Sequence, residues 1–140
     1  MARALIDSNV IIDALTNRPG SVEYERQILR FCVSRKLDLA ISSKQITDIH
    51  YVLRKYFPEE VQRRAFIGIL LRSFEVLPLN SNLIELAISS ENSDYEDAVL
   101  SETALHNGID VIITNDPKGY KKTNIKTISP SDFLKKEGLI

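Results

Sequence analysis

Short apolar runs that have the character of buried strands alternate along this chain with stretches whose apolar residues recur at helical spacing. The predicted strands are "ARALI", "LDLAI", "FEVLPL", "DVIIT" and "IKTIS", which begin at residues 2, 37, 74, 110 and 125. Strands separated by helices form parallel sheets that are covered on both faces and joined by right-handed crossovers. The alternation therefore predicts an α/β fold, a three-layer α/β/α sandwich with a central parallel sheet of about five strands.

Capping and breaking residues place the predicted helices between these strands. Ser42 and Gln45 form a capping-box pattern, Pro58 suits a first helical turn, and Gly108 follows a periodic segment as a C-terminal cap would. The predicted helices span residues 10–15 (ended by "NRPG"), 22–34, 42–56, 58–72, 81–89 and 94–107, with a short terminal helix from 130.

Composition indicates one ordinary globular unit, so residues 1–140 are treated as a single domain. The formal charge of -1 gives a nucleic-acid partner no support from bulk charge. A single cysteine, Cys32, excludes an internal disulfide framework and favours a reducing compartment. No apolar run is long enough for a membrane span, and no signal peptide is recognised, so we expect a cytoplasmic protein with no membrane association.

Acidic residues follow two of the predicted strands directly. Asp7 ends the first strand, and Asp116 follows the "VIIT" strand after one residue of turn. Because the carboxyl ends of parallel strands meet at the same edge of a sheet, we expect these two carboxylates to be neighbours where such sheets bind ligands. Each acid also has a purely structural interpretation: Asp7 as a helix N-cap, Asp94 and Asp97 as a cap and a first-turn charge, and Asp116 as part of a turn before proline.

Asp48 is harder to explain by local structure. It lies at the border of the apolar stripe of its helix, so we expect it to be partly buried and to need a cation, a hydrogen-bond donor or a metal as partner. Carboxylates are hard oxygen ligands suited to Mg²⁺ or Mn²⁺. His50 and His106 have no companion at zinc-like spacing, which favours surface or core roles for both.

The ordered set of motifs resembles the PIN-domain nuclease family, particularly the small toxin-like ribonucleases of toxin–antitoxin pairs. The resemblance rests on "LIDSNVIIDAL", "ISSKQITDIHYVLRKY", "SDYEDAVLSETALHNGIDVIITND" and the closing segment around Tyr120. It implies a catalytic metal site in which Mg²⁺ or Mn²⁺ is held by carboxylates, assisted by polar neighbours. The matching metal-site and catalytic acids are Asp7, Asp48, Asp97 and Asp116, with Asp94 as an additional ligand, and the supporting residues are Ser8, Asn9, Thr114 and Asn115.

Two positions depart from the family pattern. The family usually has glutamate where this chain has Asp48, and often has Asp-Phe where this chain has Gly119 and Tyr120. The shorter acid would bind a metal through water or widen the site. The final family acid is missing here, although Tyr120 can still pack or stack.

The resemblance implies a metal-dependent endoribonuclease that hydrolyses RNA, with single-stranded or looped RNA favoured because its bases and backbone are accessible. Lys118, Lys121 and Lys122 beside Tyr120 suit phosphate binding and base stacking, although a solvated loop explains them equally well. The expected partners are an antitoxin protein and a second copy of the chain, in a homodimer formed through the apolar helices of residues 52–71. Two rival hypotheses remain open: a phosphotransfer or receiver-like domain, which lacks its Asp-x-Asp-x-Thr context here, and a non-catalytic PIN-like scaffold that binds RNA or protein.

Overall fold

The computed structural model describes residues 3–16, 22–92 and 94–140. Its five strands form one sheet in the order β3-β2-β1-β4-β5, and every neighbouring pair is parallel. The strands are β1 (Leu5–Ile6), β2 (Ala40–Ser42), β3 (Glu75–Leu77), β4 (Val111–Ile113) and β5 (Lys126–Ile128). All five predicted strands are present, but each is shorter than the apolar run that predicted it, because burial extends beyond the paired ladder.

Seven α-helices connect and flank these strands within the described residues. They are α1 (Ser8–Leu15), α2 (Glu23–Val33), α3 (Ser43–Leu53), α4 (Glu60–Ser73), α5 (Ser81–Ser89), α6 (Tyr95–Leu105) and α7 (Pro130–Lys136). The predicted capping box of Ser42 and Gln45 is confirmed, and Gly108 has the positive φ of +72° that favours glycine after a helix. A 3₁₀ turn over Pro117–Tyr120 was not predicted. The "NRPG" helix break lies outside the described residues.

Alternation along the strands divides the core between the two faces of the sheet. In β1, Leu5 belongs to one buried cluster and Ile6 to the other, as successive side chains of a strand require. The Ile6 side packs against α1, α2, α3, α4 and α7, whereas the Leu5 side packs against α6, and α5 packs on α6. The predicted three-layer architecture is therefore confirmed.

The strand order determines where a ligand site can form. From β1 the chain proceeds to β2 on one side of the sheet, and from β4 it proceeds to β5 on the other side. The crevice beyond the carboxyl ends of β1 and β4 is thus a topological switch point, the usual ligand position in open α/β sheets. In the ranges described above, no helix has the length and apolar character needed to cross a bilayer.

Candidate active site

Asp7 lies at the switch point, between the end of β1 and the start of α1. Its Oδ1 accepts a hydrogen bond from the backbone N–H of Asn9 at 3.3 Å, so the N-cap interpretation is confirmed. Its Oδ2 accepts two more, from Thr114 Oγ1 at 2.9 Å and from the Tyr120 hydroxyl at 3.1 Å. Three donors therefore fix a carboxylate that is only 7% exposed, which is more than a helix cap needs.

Asp94 and Asp97 occupy the first turn of α6. Asp94 is the N-cap, and its Oδ1 accepts the backbone N–H of Asp97 at 3.0 Å. Burial, together with the negative charges of Asp94, Asp7 and Asp116, raises the pKa of Asp97 from 3.8 to about 7, although a hydrogen bond from Tyr120 partly opposes this rise. The Asp97 carboxyl therefore lies close to several other negatively charged carboxylates.

Asp116 and Asp48 approach the same crevice from β4 and α3. Asp116 is exposed, and its backbone N–H donates to Thr114 Oγ1 at 3.0 Å. The expectation that Asp48 is partly buried is wrong, because its side chain is 49% exposed. Its partner is the ammonium of Lys44, one helical turn earlier, at 2.5 Å from Asp48 Oδ2. Lys44 was not identified as a site residue from the sequence.

One cavity of about 170 Å³ collects these groups. Six acids and one lysine are among its lining residues, and the five aspartates named from the sequence are all present. The acidic and polar residues that line it are Asp7, Ser8, Asn9, Gln45, Asp48, Asp94, Glu96, Asp97 and Asp116. Among the residues that the structure describes, no three Asp, Glu, His or Cys side chains converge closely enough to enclose one ion. The structure thus brings the acids to one cavity and leaves them spread around its wall.

The polar residues expected to support the site divide into two groups. Ser8 accepts a hydrogen bond from Gln45 Nε2 at 3.0 Å, and the same amide nitrogen donates to the backbone oxygen of Ile6 at 2.8 Å. Gln45 therefore ties the start of α3 to the end of β1, a role that its capping pattern did not reveal. Asn115 does not line the cavity, since its amide donates to Glu25 at 3.1 Å instead.

Tyr120 is not a surface platform for a nucleic-acid base. The stacking interpretation is wrong, because the residue is 3% exposed and its hydroxyl is directed to Asp7; the packing interpretation is confirmed. Gly119 also has a structural reason: a Cβ there would lie 1.7 Å from Asp97 Oδ2. The aspartate that the family often carries at this position would therefore displace Asp97.

The predicted lysines lie on the exposed side of this segment. Lys118 and Lys121 are exposed within and directly after the 3₁₀ turn, close in sequence to Asp116. Lys122 lines a separate cavity with Ser101 and Glu102. Neither histidine lines the acidic cavity: the partly buried His50 contacts Glu60 at 3.0 Å, and the exposed His106 contacts its own helix.

Comparison with known proteins identifies relatives of this sequence and fold. A curated relative, Ribonuclease VapC1 from Aquifex aeolicus (strain VF5), is 27% identical over 139 residues, which cover 96% of this chain and 94% of the relative. Two solved structures share the fold. The VapBC2 structure from Rickettsia felis, bound to a DNA fragment from its promoter, has a TM-score of 0.68 at 15% identity and covers 91% of this chain and 98% of its own. A toxin–antitoxin complex from Klebsiella pneumoniae has a TM-score of 0.65 at 21% identity, and the match covers 91% of this chain and 97% of the matched chain.

The family assignment follows from the sequence match and the fold together. The sequence model of the PIN domain matches residues 3–118, which include every strand except β5 and every aspartate of the cavity. The chain belongs to the PIN domain family.

Proposed function

We propose that this protein is a metal-dependent endoribonuclease that hydrolyses RNA phosphodiester bonds and acts as the toxin of a toxin–antitoxin pair. The observation that carries the proposal is the cavity at the β1/β4 switch point, into which five aspartates from four separate parts of the chain are brought. The 27% identical ribonuclease and the toxin–antitoxin complex of the same fold support the substrate and the biological setting.

The residues of the cavity fit a divalent cation of the Mg²⁺ or Mn²⁺ type. All of the acidic donors are oxygen atoms, and the raised pKa of Asp97 arises in part from unneutralised neighbouring carboxylates, which a cation would relieve. Because no three of the described carboxylates converge on one point, Asp7, Asp97 and Asp116 would hold the ion partly through water, with the exposed Asp48 and Asp94 as further oxygen donors. When bound, the ion would lower the pKa of a coordinated water and stabilise charge on the phosphate.

The protein itself supplies orientation at this site. Thr114 and Tyr120 hold one oxygen of Asp7, so this carboxylate cannot rotate away when its charge is needed. Gln45 fixes α3, and therefore Asp48, against the end of β1. An acidic cavity repels RNA without cations, and the exposed Lys118 and Lys121 beyond Asp116 provide positive charge on the approach.

The test is cleavage of a mixed RNA pool by purified wild-type protein with Mn²⁺, compared with Asp7→Asn and Asp97→Asn. We expect cleavage that EDTA abolishes and that each substitution reduces by at least about a hundredfold. Asparagine retains the capping ability of Asp7, so loss of activity in this variant is not a consequence of an uncapped helix.

Asp132→Asn is the matched control, because Asp132 is an exposed first-turn aspartate of α7 outside the cavity. It should cleave at the wild-type rate. Equal inactivity of wild type and both cavity variants, with folding and metal supply verified, would favour the non-catalytic scaffold instead.

The proposal includes an antitoxin partner and a homodimer. Large apolar side chains remain exposed on α3 and α4, where Tyr51 is 61%, Val61 80% and Leu71 55% accessible. These side chains are the candidates for a protein–protein contact surface on this side of the molecule. Light scattering coupled to size exclusion should give twice the 15.9 kDa chain mass at micromolar concentration, and a strictly monomeric species would contradict the homodimer.

A further inference from the structure

Lys44 is the one cationic side chain among the described residues that line the acidic cavity. Its ammonium lies 2.5 Å from Asp48 Oδ2 on α3 and 3.9 Å from Glu96 Oε1 on α6. The lysine side chain is only 23% exposed, whereas those of its partners are 49% and 76% exposed. Lys44 therefore bridges the two helices that border the cavity and is more covered than the acids it pairs with.

The position of Lys44 in its helix is unfavourable on local grounds. It lies two residues after the N-cap Ser42, in the first turn of α3, where the helix macrodipole disfavours a positive charge. Its backbone N–H donates to Ser42 Oγ at 3.1 Å, and the next residue, Gln45, is tied to β1. A cation thus lies on a rigid support at the disfavoured end of a helix, facing the cavity.

We infer that Lys44 binds a phosphate of the RNA beside the acidic cavity. Before RNA binds, Lys44 is paired with Asp48, and this ion pair is released when a divalent cation binds Asp48. The inference rests on the proposed function, because it presumes that metal and RNA meet in this cavity. Once a metal ion binds Asp48, the ammonium of Lys44 loses its nearer partner and keeps only Glu96, at 3.9 Å and with a 76% exposed side chain. A phosphate oxygen is then the anion that can replace it.

This arrangement predicts effects of opposite sign on two binding constants. Without RNA, Lys44 competes with the metal for Asp48, so removing the lysine should strengthen metal binding. With metal present, Lys44 contributes a charged contact to the RNA, so removing it should weaken RNA binding. A purely structural lysine would weaken both, because loosening α3 damages the whole cavity.

The experiment compares wild type with Lys44→Met and Lys44→Arg. Isothermal titration with Mn²⁺ alone should give a dissociation constant about threefold lower for Lys44→Met, as expected for removal of a partly exposed ion pair. Fluorescence anisotropy should show about tenfold weaker binding of a short single-stranded RNA in Ca²⁺, under conditions where a gel shows no cleavage. Lys44→Arg should retain most of the RNA affinity. For Lys44→Met, the slope of log RNA affinity against log salt concentration should be shallower by about one, as expected for the loss of one phosphate contact.

Lys136→Met is the matched control, because it removes the same charge from an exposed position near the end of α7, outside the cavity. It should leave both constants within about twofold of wild type. RNA binding by Lys44→Met at the wild-type level, or weaker Mn²⁺ binding, would overturn the inference. Failure of the proposed function is a separate result. It would be recognised if the wild-type protein does not cleave RNA and if Asp7→Asn binds Mn²⁺ as tightly as wild type does.

Discussion

Replacement of Asp97 by asparagine should stabilise the metal-free protein at pH 8 while abolishing cleavage. In the folded protein the pKa of Asp97 is raised from 3.8 to about 7, first by burial and then by neighbouring carboxylates. The folded state therefore holds this proton more tightly than the unfolded chain does. Stability contributed by the protonated form is fully present below about pH 4 and is lost as the pH rises towards 7.

The size of the effect follows from the same shift. About 1.36 kcal/mol per pKa unit gives an upper limit of roughly 4 kcal/mol for the cost of ionising Asp97. The side chain is only partly buried, and solvent screening reduces this to about 1–2 kcal/mol. The asparagine of the Asp97→Asn variant would carry no charge at any pH. The variant should therefore match wild type at pH 4 and exceed its unfolding free energy by about 1–2 kcal/mol at pH 8.

Urea unfolding followed by circular dichroism at pH 4, 6 and 8, with EDTA present, measures this difference. Asp132→Asn should show no such increase with pH, since its aspartate lies outside the cavity. Added Mn²⁺ should stabilise wild type more than the asparagine variant. A variant that is less stable than wild type at pH 8 without metal would refute the electrostatic reasoning.

Three further substitutions test the contacts around the cavity. Gly119→Ala should reduce RNA cleavage by about tenfold without unfolding the protein, because the added Cβ would displace the Asp97 carboxylate. The control in the same activity assay is Gly68→Ala, whose Cβ would meet only the end of the Arg72 side chain. Tyr120→Phe should lower Mn²⁺ affinity by about tenfold in calorimetry through the lost hydrogen bond to Asp7, and unchanged affinity would exclude a role for the hydroxyl. Gln45→Ala should cost about 2 kcal/mol in urea unfolding, since it leaves the Ile6 carbonyl without this donor; a loss below about 0.5 kcal/mol would contradict that.

The fold was predictable because its signals are local. Each strand is an apolar run, each helix has a 3.6-residue period, and the parallel connection follows from their alternation. The meeting of Asp7 and Asp116 was predictable for the same reason, since a rule about strand ends needs no side-chain coordinates. The capping box at Ser42 was likewise predictable from four consecutive residues.

The details of the site were not predictable, because they depend on side chains that cross between elements. Base stacking was a reasonable expectation for Tyr120, yet its hydroxyl reaches Asp7, 113 positions away. Asp48 was expected to be partly covered, but whether a residue at the border of an apolar stripe is buried depends on what packs beside it. Lys44 gave no signal in the sequence, since a lysine four residues before an acid is common on helix surfaces, and only the structure shows that its side chain is partly covered.

The central place of β1 in the sheet has a consequence for the order in which the molecule is completed. The strand that carries Asp7 is synthesised before its neighbour β4 and the hydroxyl of Thr114, which follow more than a hundred residues later. A nascent chain that ends after α6 contains Asp7, Asp48 and Asp97 but lacks β4, the strand that pairs with β1 and is followed by Thr114 and Asp116. The cavity is therefore complete only once β4 has been synthesised, so a chain cut short before β4 would lack the assembled acidic site.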